Sequence, residues 1–383
     1  MEVKPGYKQT EVGVIPEEWE VKALPEVSWF QEGPGLRNWQ FTSTGIKVIN
    51  VTNLEDGVLN LERTDRHISN AEFNRMYRHF AVDAGDIVMA SSGNSYSKTA
   101  VARVQDLPLV MNTSVIRFKP LKETDYGFLW ALLTSPLFKS QIDLMITGGA
   151  QPNFGPYHLK RINFPVPNPP EQRAIATALN DVDALLGALE RLIAKKRDLK
   201  KAAMQQLLTG QTRLPGFSGA WEVNRLGDVG VFSKGRGIKK DDVVADGLPC
   251  VRYGEIYTHH NNHLKAFNSF ISPEIAKQSQ RLQKGDLLFA GSGETTEEIG
   301  KCIAFLGDEE AYAGGDIVIF RPGGQDSKFL GFLINHSGVA SQKARMGQGD
   351  AVVHISARNL ARLELHLPSL PEQTAIAEVL SDM

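Results

Sequence analysis

The chain repeats itself, and that constrains its fold more than any single motif. Glu18-Trp19-Glu20-Val21 is answered by Ala220-Trp221-Glu222-Val223, 202 positions later. Gly85-Asp86-Ile87-Val88-Met89-Ala90-Ser91-Ser92-Gly93 returns as Gly285-Asp286-Leu287-Leu288-Phe289-Ala290-Gly291-Ser292-Gly293, and Phe118-Lys119-Pro120 returns as Phe320-Arg321-Pro322. Pro170-Glu171-Gln172, then Ala174-Ile175-Ala176, returns as Pro371-Glu372-Gln373, then Ala375-Ile376-Ala377. Four anchors in one order at a nearly constant displacement mark a module of about 200 residues written twice. Between the anchors the copies diverge: Asn53 to Tyr77 has little in common with Gly254 to Gln278. A shared scaffold with private loops suits a pair of readers for two different targets.

A chain of 383 residues is long enough for two cores. Its 42% hydrophobic and 22% charged residues match a folded protein rather than a disordered one. The formal net charge of −2 argues against a nonspecific nucleic-acid coat, but leaves room for a basic stripe on one face. No apolar run reaches the length of a membrane span, and the charged opening MEVKPGYKQTEVGVIPEEWE lacks a secretory apolar stretch, so a cytoplasmic protein is expected. Cys250 and Cys302 sit in LPCVRY and GKCIAFLG, where a buried hydrophobe is expected rather than a disulfide or metal ligand.

Each copy opens as mixed strand and helix. IKVINV, GDIVMAS and TSVIRF in the first, and LPCVRY, GDLLFAG and DIVIF in the second, read as short strands. Apolar spacings of three and four predict one helix over Phe128 to Ile142 and one over Phe329 to Lys343. The fold class is therefore α+β, with two similar mixed α/β domains in tandem. Asn168-Pro169-Pro170-Glu171 and Ser369-Leu370-Pro371-Glu372 both fit a capping box that starts a helix. The first runs without proline to Thr209, with Gly210 as a stop, which gives about 60 Å of helix at 1.5 Å per residue. Along it Ile175, Leu179, Val182, Leu186, Leu189 and Ile193 alternate spacings of four and three, a coiled-coil seam that needs a partner. The second helix is expected to be cut short at Met383, the counterpart of Val182 at a displacement of 201.

Three clusters invite a chemical reading. Asn168-Pro169-Pro170 begins like the Asn-Pro-Pro-aromatic tetrad of enzymes that methylate adenine N6, but Glu171 stands where the ring should stack on the base. The second copy keeps what capping needs and loses what base chemistry needs. No Gly-rich turn with a distant acidic residue marks a cofactor-binding Rossmann unit. His259-His260-Asn261-Asn262-His263 has no cysteine or carboxylate spaced to complete a zinc site and reads as a polar loop. Gly291-Ser292-Gly293-Glu294 lacks the Lys-Ser/Thr ending of a P-loop and reads as a strand-to-loop turn. Catalytic, cofactor and metal residues are therefore not assigned.

Three signatures taken together resemble the specificity subunit of a type I restriction-modification system. They are Lys8-Gln9-Thr10-Glu11-Val12-Gly13-Val14-Ile15-Pro16 with Trp19, the two Pro-Glu-Gln helix starts, and Leu207-Leu208-Thr209-Gly210 followed by Arg213-Leu214. The resemblance covers almost the whole chain. It implies target recognition domains at residues 1–168 and 213–368, a conserved spacer helix at 169–212, and the start of a second at 369–383. Each recognition domain would read one half of a bipartite site in double-stranded DNA. Two methyltransferase subunits would bring S-adenosylmethionine, and two translocase-nuclease subunits would bring ATP and magnesium, leaving this chain a non-catalytic component without a cofactor. Under that reading the expected DNA contacts are Arg37, Asn94, Tyr96 and Lys98 in the first copy. In the second they are Lys234, Arg236, Lys239, Lys240, Arg252, Tyr253, His259 and His260. The rival readings are a self-contained adenine-N6 methyltransferase and a coiled-coil scaffold that does not bind DNA.

Overall fold

A computed structural model describes residues 3–55, 57–146, 152–296, 298–349 and 353–383. The chain forms two compact units, Met1–Leu189 and Glu190–Met383, and the division falls inside the stretch read above as a separate spacer.

In unit 1 an antiparallel sheet runs in the order Thr99–Val101, Ile87–Ala90, Val115–Pro120, Ser28–Glu32. A second sheet runs His67–Ile68, Ile46–Ile49, Leu109–Met111, Ala81–Val82, with a parallel pair at its centre. Glu20–Ala23 pairs separately with Asn163–Val166. Unit 2 repeats both sheets, with one further edge strand, Val243–Val244, in the second. Its first sheet is Gly230–Lys234, Ile317–Pro322, Leu287–Ala290, Cys302–Ala304. Its second sets the parallel pair Leu248–Val251 and Tyr312–Ala313 among Val243–Val244, Ser269–Ile271 and Gln280–Arg281, and Glu222–Arg225 pairs with Glu364–Leu367.

The apolar runs are buried on both faces. Ile87, Met89, Ile116 and Phe118 join a core with Phe128, Leu129 and Phe138, while Val88, Ala90 and Val115 face a second core with Ile49, Leu109 and Met111. Unit 2 divides the same way, with Leu287, Phe289 and Phe320 in one core and Leu288, Ala290 and Ile319 in the other. Alternate residues of one strand thus serve two hydrophobic layers. Cys250 and Cys302 are wholly buried free thiols, and burial pushes both up to about 12.

The second and third anchors prove to be two ends of one ion pair. Buried Asp86 accepts the Asp83 N–H at 2.9 Å and lies 3.3 Å from Lys119 and 3.2 Å from Arg117 on the neighbouring strand. Asp286 accepts the Gln283 N–H at 2.8 Å and takes a two-pronged bond from Arg321 at 2.8 and 2.9 Å. A carboxylate this deep needs both a cation and a backbone donor.

Each expected packing helix is instead two helices. In unit 1 they are Tyr126–Thr134 and Pro136–Met145, because Pro136 drives Ser135 out of helical geometry to φ −70°, ψ 151°. In unit 2 Ser327–Asn335 and Ser337–Met346 break at His336, φ −64° and ψ 146°, without a proline.

The long helix spans Pro169–Leu207, 39 residues. Asn168 Oδ1 accepts the Glu171 N–H at 3.0 Å, as the capping box requires, although Glu171 forms no return bond to the Asn168 N–H. The second box is corrected more fully. Ser369 makes no side-chain cap, and Glu372 turns inward to a bidentate pair with Arg213 at 2.5 and 2.6 Å. The decisive residue of Pro-Glu-Gln is the glutamine. Gln172 Oε1 accepts the Asp125 N–H at 2.9 Å while its Nε2 donates to Pro167 O at 2.9 Å. Gln373 does the same with Asp326 and Pro368, at 3.0 and 2.9 Å. Asp125 and Asp326 in turn cap the helices that begin beside them.

Gly210 ends the long helix at φ +69°, and a Cβ there would come within 3.3 Å of the Trp221 ring. Leu207 and Leu208 enter the unit 2 core beside Ile376, Ala377 and Leu380 of the closing helix Leu370–Asp382. Ile175 packs on the unit 1 core, whereas Leu179, Val182, Leu186, Leu189 and Ile193 stand 45–54% exposed. No helix among the described residues is long and apolar enough to cross a membrane.

Replacing Gln373 by Leu should leave the Asp326 N–H and the Pro368 carbonyl unpaired and lower unit 2 stability by about 2–4 kcal/mol. A urea denaturation midpoint that stays in place would contradict this. Lys343 supplies a second test. It is buried in Ser337–Met346 where unit 1 has Ile142, donates to Gly300 O at 2.7 Å, and is pushed by burial from the usual 10.5 to about 8. The unfolded chain therefore holds this proton more tightly than the folded one. Native stability should rise by roughly 3 kcal/mol as pH increases from 8 to 10.5, an increase that Lys343→Met abolishes. Paired melts across that window measure it.

Candidate nucleic-acid interface

Two short turns in each unit tie themselves off with their own side chains. The first follows the edge strand of the first sheet. In unit 1 it is Asn38–Gln40, with the Arg37 N–H held by Gln40 Oε1 at 2.8 Å. In unit 2 it is Lys240–Asp242, with the Lys239 N–H held by Asp242 Oδ2 at 2.7 Å. The second turn follows the central parallel strand. Asn50 donates its N–H to Asn53 Oδ1 at 3.0 Å, and Arg252 donates its N–H to Glu255 Oε2 at 3.3 Å. Such bonds replace the partners that a helix start otherwise lacks, so the exposed side chains are free for a ligand.

In unit 2 the two turns border one cavity of about 520 Å³, which gathers Lys239, Lys240, Arg252, Tyr253 and His259 with Gly314, Gly315 and Asp316. Glu255 also lines it, but this carboxylate is buried and spent on Arg252 at 3.1 Å and on the Ser269 hydroxyl. With Arg252 and Glu255 paired to each other, the cavity offers Lys239 and Lys240 against Asp316. An adjoining groove of about 470 Å³ shares Asp316 and holds Lys234, Ser292, His354 and Asn359. Exposed Arg236 lies on the crossing between them, its N–H bonded to Ala313 O at 3.1 Å. The crossing is tight, since a Cβ on Gly235 would sit 2.0 Å from Gly314 O.

His260 does not belong to this surface. It is 3% exposed, and burial pulls its imidazole pKa below the ordinary histidine value, with neither ring nitrogen bonded to a protein partner. The local helix Tyr253–Thr258 carries His259 outward and turns the next residue inward. Histidine polarity in a polar run gave no hint of that.

Unit 1 distributes its expected contacts differently. Arg37 belongs to the first turn, while Asn94, Tyr96 and Lys98 belong to the loop between Ile87–Ala90 and Thr99–Val101. Arg37, Asn94 and Lys98 are exposed. Tyr96 is half-buried and engaged, its hydroxyl bonded to Asp143 at 2.5 Å and to Lys139 at 2.7 Å, so it braces the loop against Pro136–Met145. Among the described residues, no recorded hydrogen bond or ion pair joins Arg37 to that loop. Sequence reasoning passed over Trp39, 81% exposed on the first turn. Its one signal was an aromatic residue inside the polar run Arg37-Asn38-Trp39-Gln40.

The Asn168-Pro169-Pro170 cluster is used structurally, since the Asn168 side chain is occupied by its helix cap.

A family profile described as "Type I restriction modification DNA specificity domain" matches residues 16–197 and, a second time, residues 219–383. The chain is 30% identical over 216 residues to the type I restriction enzyme MjaVIII specificity subunit of Methanocaldococcus jannaschii, which covers 55% of this chain and 50% of that protein. It thus spans half the length of that relative. The putative MjaX specificity subunit of the same organism is 21% identical over 393 residues, covering 97% of this chain and 88% of its own. The crystal structure of a type I restriction-modification S subunit from M. genitalium superposes with a TM-score of 0.57 at 16% identity, over 100% of this chain and 91% of that one.

Lys239 and Lys240 are exposed, so changing both to Ala should leave the melting temperature in place. The expected loss is in duplex binding by the full chain, with the slope of log affinity against log salt flattened by about 2. An unaltered slope would remove these lysines from the interface.

Proposed function

Because the chain belongs to the family of type I restriction-modification DNA specificity domains, we propose that each of its units reads one half of a bipartite site in double-stranded DNA. One observation carries this reading. The same order in the first sheet, the same central parallel pair in the second and the same self-capped turns recur in both units, yet Arg37-Asn38-Trp39 stands in one where Lys239-Lys240-Asp241 stands in the other. Equal scaffolds with unequal side chains at one position are what two readers of different sequences require.

The role is that of a specificity subunit rather than a catalyst. The long helix is the spacer that sets the separation of the half-sites and docks methyltransferase subunits. Its exposed stripe of Leu179, Val182, Leu186, Leu189 and Ile193 supports docking, since apolar area of this kind is normally covered by a partner. Two methyltransferase subunits would supply S-adenosylmethionine and adenine N6 chemistry. Two translocase-nuclease subunits using ATP and magnesium would complete the restriction complex, in the cytoplasm where the DNA lies.

The test is a methylome of the source organism with and without this gene. The expected result is loss of methylation at a split adenine motif; loss at a continuous motif, or no loss, contradicts the two-reader reading. Titration of the purified chain with S-adenosylmethionine checks the division of labour. Tight one-to-one binding by this chain alone would make it a methyltransferase in its own right.

A further inference from the structure

A tryptophan is seldom left in water, because its large ring gains more from burial than almost any side chain. Trp39 is 81% exposed. Its exposure is built rather than accidental. On one side Leu36 is buried with Val48, Ile68 and Val110, and on the other Phe41 packs against the same cluster, with the Arg66 guanidinium 5.1 Å from its ring centre. Beneath the turn, Gln40 is 6% exposed and binds three ways. Its Oε1 takes the Arg37 N–H, and its Nε2 donates to Glu72 at 2.5 Å and to the Tyr77 hydroxyl at 2.8 Å. Three consecutive side chains are thus held out from a fixed base: a guanidinium, a carboxamide and an indole.

These are three chemistries that meet DNA. Arginine pairs with guanine or phosphate, asparagine with adenine, and a flat apolar ring stacks on a base or wedges into a base step. The matching turn in unit 2 borders the cationic cavity, and there the counterpart of Trp39 is the exposed carboxylate Asp241. An aspartate cannot stack on a base, so the two turns engage DNA by different means.

We propose that Trp39 is a DNA-stacking wedge, its indole inserted at an unstacked base step of the half-site read by unit 1, with Arg37 and Asn38 beside it on the flanking bases. This rests on the two-reader reading above. Unit 1 then gains its hold through an apolar ring and loses less affinity to salt than unit 2.

The experiment uses the full chain assembled with its methyltransferase subunits, and duplexes of the bipartite site carrying 2-aminopurine at successive positions. The wild-type complex should raise fluorescence at a step in one half-site. Trp39→Ala should abolish that signal and weaken binding about 10- to 100-fold, Trp39→Phe should retain part of both, and signals in the other half-site should persist. Melting temperature and sedimentation of the assembled complex should match wild type. Unchanged binding and fluorescence in Trp39→Ala overturn the wedge while leaving the two-reader reading intact. Loss of methyltransferase subunits with normal DNA binding makes Trp39 a protein contact and overturns it equally. A wild-type complex that protects no split site overturns both.

Discussion

In each unit a buried side-chain amide joins two helix starts. Gln172 and Gln373 each spend an oxygen on the N–H of an aspartate that caps one helix, and a nitrogen on the carbonyl just before their own. Each is nearly inaccessible, so the polar atoms it touches have no water to fall back on. Remove the amide and the helix that follows Pro-Glu-Gln loses its fixed point of departure from the core. The ion pairs at Asp86 and Asp286 do the corresponding work within the sheets, tying a turn to the strand across from it.

Much of this was legible in the sequence, because the same physical need recurs in both copies. The four anchors are the clamp, the two ends of the ion pair, and the tryptophan that in unit 2 closes over Gly210. Strands were readable from apolar runs, and the long helix from its proline-free seam and glycine stop. The break at Ser135-Pro136 was available from the proline, but its twin at His336 was not, since nothing local forbids helix there. The role of Glu372 was hidden because Arg213 lies 159 positions away, a separation that no spacing rule spans.

The clustering of the candidate residues was legible by half. Basic and aromatic residues picked out five side chains that share a cavity in unit 2, because charge clustered there in sequence as well as in space. His260 shows the limit: composition identifies a polar run, while a single local helix decides which members face inward. Tyr96 shows another, since its hydroxyl was already committed to Asp143 and Lys139.

The self-tied turns carry a consequence for how such a protein changes over time. Each closes through a bond between its own last side chain and its own first N–H, so its geometry owes little to the residues at its tip. Substitutions at Asn38, Trp39, Lys240 or Asp241 therefore leave the clamps, the ion pairs and the cores untouched. A lineage can drift through new surface chemistries at these positions without passing through an unfolded ancestor, and natural selection is left to judge the surface alone.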